Sequence, residues 1–308
     1  MCQKKMLVVY SNRSSAASFV MKGVKDSSID AKCLCVKKNY ISKVFFKFFF
    51  WLRLYRIAGC FRMEKRFRQC LKSDVFHEVI FFDCAPLKEY FVLNSYLKKN
   101  KKKFIYFWNP IKYRESDERR SLGIIEKIKK DGFLLKTFEK GDSERFQMVY
   151  LKSPNRKACF EQYKEKVDFY FAGLPKGRQS DLEMLRSNLL KKGFSAKFIF
   201  VHKESDYISQ EENRVNSENC KCIVDWVSED YGQRNLSLRS TDALLLGKKI
   251  ITNCKAILDA DFYNPSNVFL VKDLNLEGIE SFMEKPYERI SKDIVDSYEI
   301  NNWLKMNF

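Results

Sequence analysis

The sequence predicts an α/β protein of two domains, each built on a parallel sheet. Three observations carry that expectation. Short runs rich in Val, Ile, Phe and Tyr alternate with longer segments whose apolar residues recur at helical spacing, the pattern of strands joined by crossover helices. A chain of 308 residues is long for one core, and 45% hydrophobic residues with 15% aromatics can build two. The charge is also unevenly shared. Residues 1–160 carry 36 Lys+Arg against 15 Asp+Glu, a balance of +21, whereas residues 161–308 carry 21 against 24, a balance of −3.

In the first half, Met6–Tyr10, Val79–Asp83 and Lys103–Phe107 read as strands, and Leu87–Lys99 and Ser121–Lys130 as helices. Pro110 and the polar run Arg114–Arg120 mark a loop. In the second half, Val167–Ala172 is a strand and Asp181–Lys192 a helix stopped by Gly193. Phe194–Val201 and Cys220–Val227 are strands, and Ser237–Leu246 is a helix stopped by Gly247. Lys249–Asn253 and Asn267–Val271 are strands, and an amphipathic helix runs over about Lys292–Met306. The polar stretch Leu151–Glu165, with Pro154, reads as a linker. The expected domains are therefore 1–155 and 165–308.

Composition narrows the function classes. The basic residues at the start lead straight into the strand Met6–Tyr10, so no export leader is expected. The ten cysteines are scattered, and Cys33, Cys35 and Cys222 sit in strand-like runs. They read as reduced, buried thiols of a cytoplasmic protein. With two histidines and no CxxC pair, no metal site is expected.

Val44–Ile57 stands out, with six Phe/Trp residues among Lys47, Arg53 and Arg56, followed by Arg62, Lys65, Arg66 and Arg68. It is too short and too charged to span a bilayer. It is either an interfacial helix on an anionic membrane or a core helix with a solvated end.

Two strand–loop–helix segments carry the chemistry. In Asp168-Phe-Tyr-Phe-Ala-Gly-Leu-Pro-Lys-Gly-Arg178 a strand ends at Gly173, and the loop brings Lys176, Gly177 and Arg178 to a helix start. Amides and cations there suit a diphosphate, and an ordinary turn with surface charges would look the same. In the second segment a strand ending at Asp225 enters a polar loop holding Gln233, and a helix opens at Ser237 with Arg239 and Asp242 in its first turns. A carboxylate there can accept both hydroxyls of a ribose, or simply favour the helix dipole.

The run Leu236–Asn253, followed by Asp261-Phe-Tyr-Asn-Pro-Ser-Asn267, resembles bacterial lipopolysaccharide and capsule biosynthesis glycosyltransferases of the GT-B superfamily. The turn Phe171–Arg178 and the ending Tyr298–Leu304 are similar to that group as well. The resemblance is thinner at Phe81–Asp83, Tyr106–Pro110 and Thr137–Asp142. It implies two Rossmann-like domains facing a cleft, with the nucleotide sugar held by the second and the acceptor by the first. By position, Gly173, Lys176, Gly177 and Arg178 would meet the diphosphate, and Asp225, Gln233, Ser237 and Arg239 would line the donor pocket. Asp242 would hold the ribose.

The chain departs from the pattern. Asp242 stands where the group has Glu, Ser240 where it has Pro, and Asn235–Ser237 where it has Gly-Leu-Thr. Arg234 stands where retaining members often carry a second acid, so no retaining mechanism is transferred. Asp259-Ala-Asp261 forms a DxD that falls inside the family's own motif and is not read as a metal site.

For a catalytic base the leading residue is Asp83, at a strand end, where it can equally cap a turn. Trp108 and Asn109 would line the acceptor side. His77 is structural, and His202 ends a strand.

The expected activity is metal-independent transfer of a hexose from a nucleoside diphosphate sugar, UDP-linked, without a cofactor. The acceptor is a lipid-linked glycan of lipopolysaccharide O-antigen, core or capsule assembly, met at the inner face of the cytoplasmic membrane. The alternatives are a catalytically idle assembly partner of the same fold and a basic nucleic-acid-binding protein. The basic stretch matches no nucleic-acid motif, so no nucleic acid is expected as partner.

Overall fold

A computed structural model of the chain describes residues 5–11, 15–37, 39–111, 118–157, 166–228 and 234–308. The chain forms two compact units, Met1–Leu151 with Phe308, and Lys152–Asn307.

The first unit holds a parallel sheet of β1 (Lys5–Ser11), β2 (Ile29–Leu34), β3 (Phe76–Phe82), β4 (Lys102–Phe107), β5 (Phe133–Thr137) and β6 (Val149–Tyr150), in the order β2-β1-β3-β4-β5-β6. The central strands are buried on both faces: Leu7, Val8, Val9, Val79, Ile80 and Phe81 are fully enclosed. This is why they read as unbroken apolar runs rather than alternating ones.

The helices of this unit are α1 (Ser15–Met21), α2 (Tyr40–Trp51), α3 (Tyr55–Arg62), α4 (Lys65–Lys72), α5 (Glu89–Asn94), α6 (Glu118–Lys130) and α7 (Lys140–Phe146). Helix α5 covers only part of the Leu87–Lys99 span expected to be helical. The aromatic segment is likewise not one helix. Arg53 takes a left-handed φ of 58° and turns α2 into α3. Arg62 is anchored rather than solvated, with Nε donating to Glu89 Oε2 at 3.0 Å and its ring-facing side stacked over Phe46.

The second unit holds β7 (Val167–Gly173), β8 (Ala196–Phe200), β9 (Cys220–Asp225), β10 (Lys249–Thr252) and β11 (Val268–Leu270), all parallel, in the order β11-β10-β9-β7-β8. Around it lie α8 (Gln179–Lys191), α9 (Gln210–Glu218), α10 (Leu238–Leu246), α11 (Ile279–Glu284), α12 (Lys292–Tyr298) and α13 (Ile300–Asn307). One face of the sheet packs Phe169, Phe171 and Val224 against Leu182, Leu185 and Leu189. The other packs Tyr170, Ile223 and Ile250 against Ala243 and Leu244.

Numbered from its own first strand, the first sheet follows the order 2-1-3-4-5-6 and the second 2-1-3-4-5. In both, the chain reverses direction across the sheet beside its first strand, and ligands of such folds bind outside the carboxyl ends of the strands there. That places the ends of β7 and β9 in the second unit, and of β1 and β3 in the first, where a ligand is expected.

Two boundaries differ from the sequence reading. The expected C-terminal helix is two helices, because Glu299 is extended (φ −72°, ψ 134°). At that break Asn155 bridges the chain: its N–H donates to Tyr298 O at 2.9 Å and its carbonyl accepts from Ile300 N at 3.0 Å. Lys152–Asn155, read as first-domain and linker residues, are thereby built into the second unit. Trp303, fully buried, donates from Nε1 to Lys152 O at 2.8 Å.

The cysteines also need correction. Cys84, Cys220, Cys222 and Cys254 are buried thiols, but Cys35 and Cys60 are exposed and Cys33 and Cys70 half-buried. Cys35 lies just past the end of the edge strand β2, where nothing covers it. Among the described residues no helix is long and apolar enough to cross a membrane.

Candidate functional site

The end of β7 and the start of α10 meet at a close backbone approach. The guanidinium of Arg239 donates from Nη2 to Ala172 O at 2.8 Å and from Nε to the same oxygen at 3.2 Å. It lies 4.7 Å over the ring of Phe171. A Cβ at position 173 would run into this guanidinium, so Gly173 leaves Arg239 room to reach Ala172 O.

After Gly173 the loop turns through two left-handed residues, Lys176 (φ 47°) and Gly177 (φ 73°). For Lys176 this conformation carries a steric cost that glycine would not. Burial pulls the Lys176 ammonium below the usual lysine range, and the nearby Arg178 and Arg239 charges pull it further. Three cations therefore converge at the carboxyl end of β7.

Arg178 works differently from the expected phosphate contact. It is 4% exposed and donates to the carbonyl oxygens of Trp226 and Leu174. It ties the loop after β7 to the loop after β9 and contributes its charge from behind.

Asp225 is also turned inward. Its side chain is fully buried, accepting from Ser237 N at 3.1 Å, Ser237 Oγ at 2.5 Å and Ser240 Oγ at 2.5 Å. Ser237 in turn caps α10, its Oγ accepting from Arg239 N at 3.1 Å. The hydroxyl of Ser240 thus completes the buried carboxylate's shell. Asp225 holds the first turn of α10 in place and is not exposed to a ligand.

Asp242, one turn further, is partly open. Its Oδ1 accepts from Asn155 Nδ2 at 2.9 Å and from Arg214 Nη1 at 2.5 Å, while Oδ2 has no hydrogen-bond partner among the described residues. Burial pushes its carboxyl above the usual aspartate range, against the pull of Arg214 and Arg239. Arg214 itself is 2% exposed on α9, with Nε 3.5 Å from Glu218 Oε1. Burial raises the Glu218 carboxyl as well.

Neither Arg214 nor Asn155 was read from sequence as part of the site. Their partner lies 28 and 87 residues away, and no local pattern announces either. Gln233 lies outside the described residues.

In the first unit the structure brings two of the expected residues together. Asp83, at the end of β3, has a left-handed φ of 46°, and its Oδ2 accepts from Asn109 Nδ2 at 2.7 Å. Trp108 does not line an open surface. It is buried and packs edge-on against Phe82, with ring centroids 4.6 Å apart. Strand β4 ends one residue earlier at Phe107, and Trp108 stays buried while Asn109 is exposed.

Asp261 of the DxD accepts from Tyr298 Oη at 2.6 Å and Lys152 Nζ at 2.8 Å, fastening the C-terminal helices. Among the described residues no three His, Cys, Asp or Glu side chains come together as metal ligands.

No known family matches this sequence, and no curated protein is significantly similar to it. Among solved structures the chain is similar to the glycotransferase of kitacinnamycin, at 9% identity and a TM-score of 0.48, covering 97% of this chain and 96% of that one. It is similar to a DNA-modifying beta-glucosyltransferase at 8% identity and a TM-score of 0.47, over 97% and 96%. It is also similar to the UDP-GlcNAc 2-epimerase of Methanocaldococcus jannaschii at 10% identity and a TM-score of 0.43, again over 97% and 96%. At these identities and scores, the reading of the site rests on the chain's own residues.

Proposed function

We propose that this chain is a metal-independent glycosyltransferase whose second unit binds a nucleoside diphosphate sugar, UDP-linked, at the carboxyl ends of β7 and β9. The observation that carries the reading is the clustering of Lys176 with Arg178 and Arg239 at the carboxyl end of β7, with Arg239 also near the half-open carboxylate of Asp242. Clustered cations fit a leaving diphosphate, whose growing charge they offset in the transition state. The open Oδ2 of Asp242 fits a ribose hydroxyl. The resemblance of Leu236–Asn253 to lipopolysaccharide and capsule glycosyltransferases supports the same assignment. It extends it to a hexose delivered to a lipid-linked glycan at the inner face of the cytoplasmic membrane. The exposed aromatic and basic residues of α2 and α3 favour that location.

In this reading the acceptor hydroxyl attacks the anomeric carbon, the bond from that carbon to the diphosphate breaks, and Asp83 takes the hydroxyl proton. Asn109 orients the base. Asp83→Asn is therefore expected to keep UDP affinity while lowering turnover about 100-fold or more. Calorimetry with UDP and a product assay with a labelled donor panel check the two halves separately, and full turnover by the variant removes Asp83 from the reaction.

Lys176→Gly separates strain from binding. Glycine takes the left-handed turn without a Cβ penalty, so the thermal midpoint should hold or rise slightly. The affinity for UDP should fall about ten-fold with the lost charge. Unchanged affinity would take Lys176 out of the phosphate site.

A second reading, an idle assembly partner of the same fold, is favoured by one observation: Arg214 and Asn155 already occupy Oδ1 of Asp242. Detectable sugar transfer excludes it.

A further inference from the structure

No Asp or Glu occurs between Asp30 and Glu64, and α2, α3 and their connection lie wholly inside that interval. Helix α2 is apolar on two sides. Phe46, Phe49 and Phe50 pack against the core of the first unit. The opposite stripe, Tyr40, Val44, Phe45, Phe48 and Trp51, is also apolar and faces solvent; Trp51 is 77% exposed. Ile57 continues this surface onto α3.

Beside it, between α3 and α4, lies a groove of about 400 Å³ lined by Arg56, Ile57, Lys65, Arg68, Lys72 and Tyr96. No carboxylate lines it. Its shape depends on Gly59, where a Cβ would come 2.5 Å from Tyr96 Cε2, so only glycine lets the ring close the floor. The two arginines are held in place by backbone carbonyls: Arg56 Nε donates to Ser95 O at 2.8 Å, and Arg68 Nη1 to Met63 O at 3.1 Å. Lys72 sits 5.4 Å over the Tyr96 ring. None of the four cations is in an ion pair among the described residues. Like charges held in one groove repel, and an anion seated among them relieves that repulsion.

We propose that this groove is a headgroup site for an anionic phospholipid, and that the aromatic stripe of α2 enters the same leaflet. Ile57 belongs to both surfaces, so a phosphate in the groove leaves its acyl chains beside the exposed aromatics. This assignment rests on the membrane reading above and adds a specific site to it. An interfacial helix with an apolar face and neighbouring cations binds through buried area and charge together, which a diffuse basic patch does not require.

The test is flotation of the full chain with vesicles of phosphatidylcholine alone, or with phosphatidylglycerol or phosphatidic acid added. Lys65→Gln/Lys72→Gln removes two groove charges with little loss of structure. Lys43→Gln/Lys47→Gln removes the same charge from α2 and serves as the control. Circular dichroism checks that both variants fold.

The wild type should bind anionic vesicles, and the groove pair should weaken that binding about 20-fold, against about 3-fold for the control. Equal losses from the two pairs overturn the groove while leaving membrane docking intact. No binding of the wild type to any vesicle defeats the membrane reading itself. Salt-dependent binding of an RNA or DNA oligonucleotide that the groove pair abolishes, with vesicle binding unchanged, reassigns the groove to nucleic acid and overturns the proposal.

Discussion

Replacing Asp225 with alanine is expected to lower the stability of the second unit by about 3 kcal/mol. Three donors, Ser237 N, Ser237 Oγ and Ser240 Oγ, converge on this fully buried carboxylate, and alanine strands all of them in a dry site. For a unit of this size the thermal transition should drop by roughly 6–12 °C. Nucleotide binding should be lost with it, because the anchored first turn of α10 also carries Arg239 and Asp242. Differential scanning calorimetry and UDP titration check both. A midpoint within about 2 °C of wild type would show that Asp225 is not the anchor described here. Asp225→Asn, which keeps the volume and one acceptor, should recover part of the loss.

Arg214→Met should have a comparable effect with a different pH signature. Removing one member of a buried ion pair leaves the other uncompensated, at a cost of about 3–5 kcal/mol near neutral pH. Asp242 and Glu218 are both held above their ordinary carboxyl range by burial, and Arg214 is the charge that opposes this. A carboxyl whose pKa is raised on folding binds protons more tightly in the folded state, so it costs stability at neutral pH and less as pH falls.

The groups facing Asp242 are Arg214 and Glu218 from α9, Asn155, and Arg239 from its own helix. With Arg214 gone, the deficit should be largest at about pH 7.5 and shrink toward about pH 5 as Asp242 takes up its proton. UDP affinity should fall over the same range, since the protonated acid is a poorer acceptor. Urea unfolding at several pH values reads the first trend. A deficit that does not change with pH would mean that Arg214 acts only by packing.

The fold was largely legible because parallel strands buried on both faces leave apolar runs such as Val79–Phe82. Strands near the sheet margins are harder to read: β2 is an edge strand and β5 lies next to the edge. Ile29–Leu34 and Phe133–Thr137 mix lysine or aspartate with apolar residues, and pairing decides their state. The break at Glu299 was equally hidden, because it is bridged by Asn155, distant in sequence.

At the site, residue type was a fair guide to location and a poor guide to role. Asp225, Arg178 and Trp108 all lie at strand or helix ends as expected. Burial then commits the first two to holding loops and the third to packing. Arg214 is a lone cation on a helix that otherwise carries acids, and only the fold brings it to Asp242.

Asn155 links two parts of the second unit that share no chemistry. Its backbone stitches the junction of α12 and α13, and its side chain supplies one of the two donors to Asp242. The last helices are therefore coupled to the proposed nucleotide site through Asn155. A chain shortened before Ile300 would lose more than the packing of Trp303. It would release the strap that holds the Asp242 carboxylate, so under the proposed function truncation at the far end of the sequence would register as a change in what the site recognises.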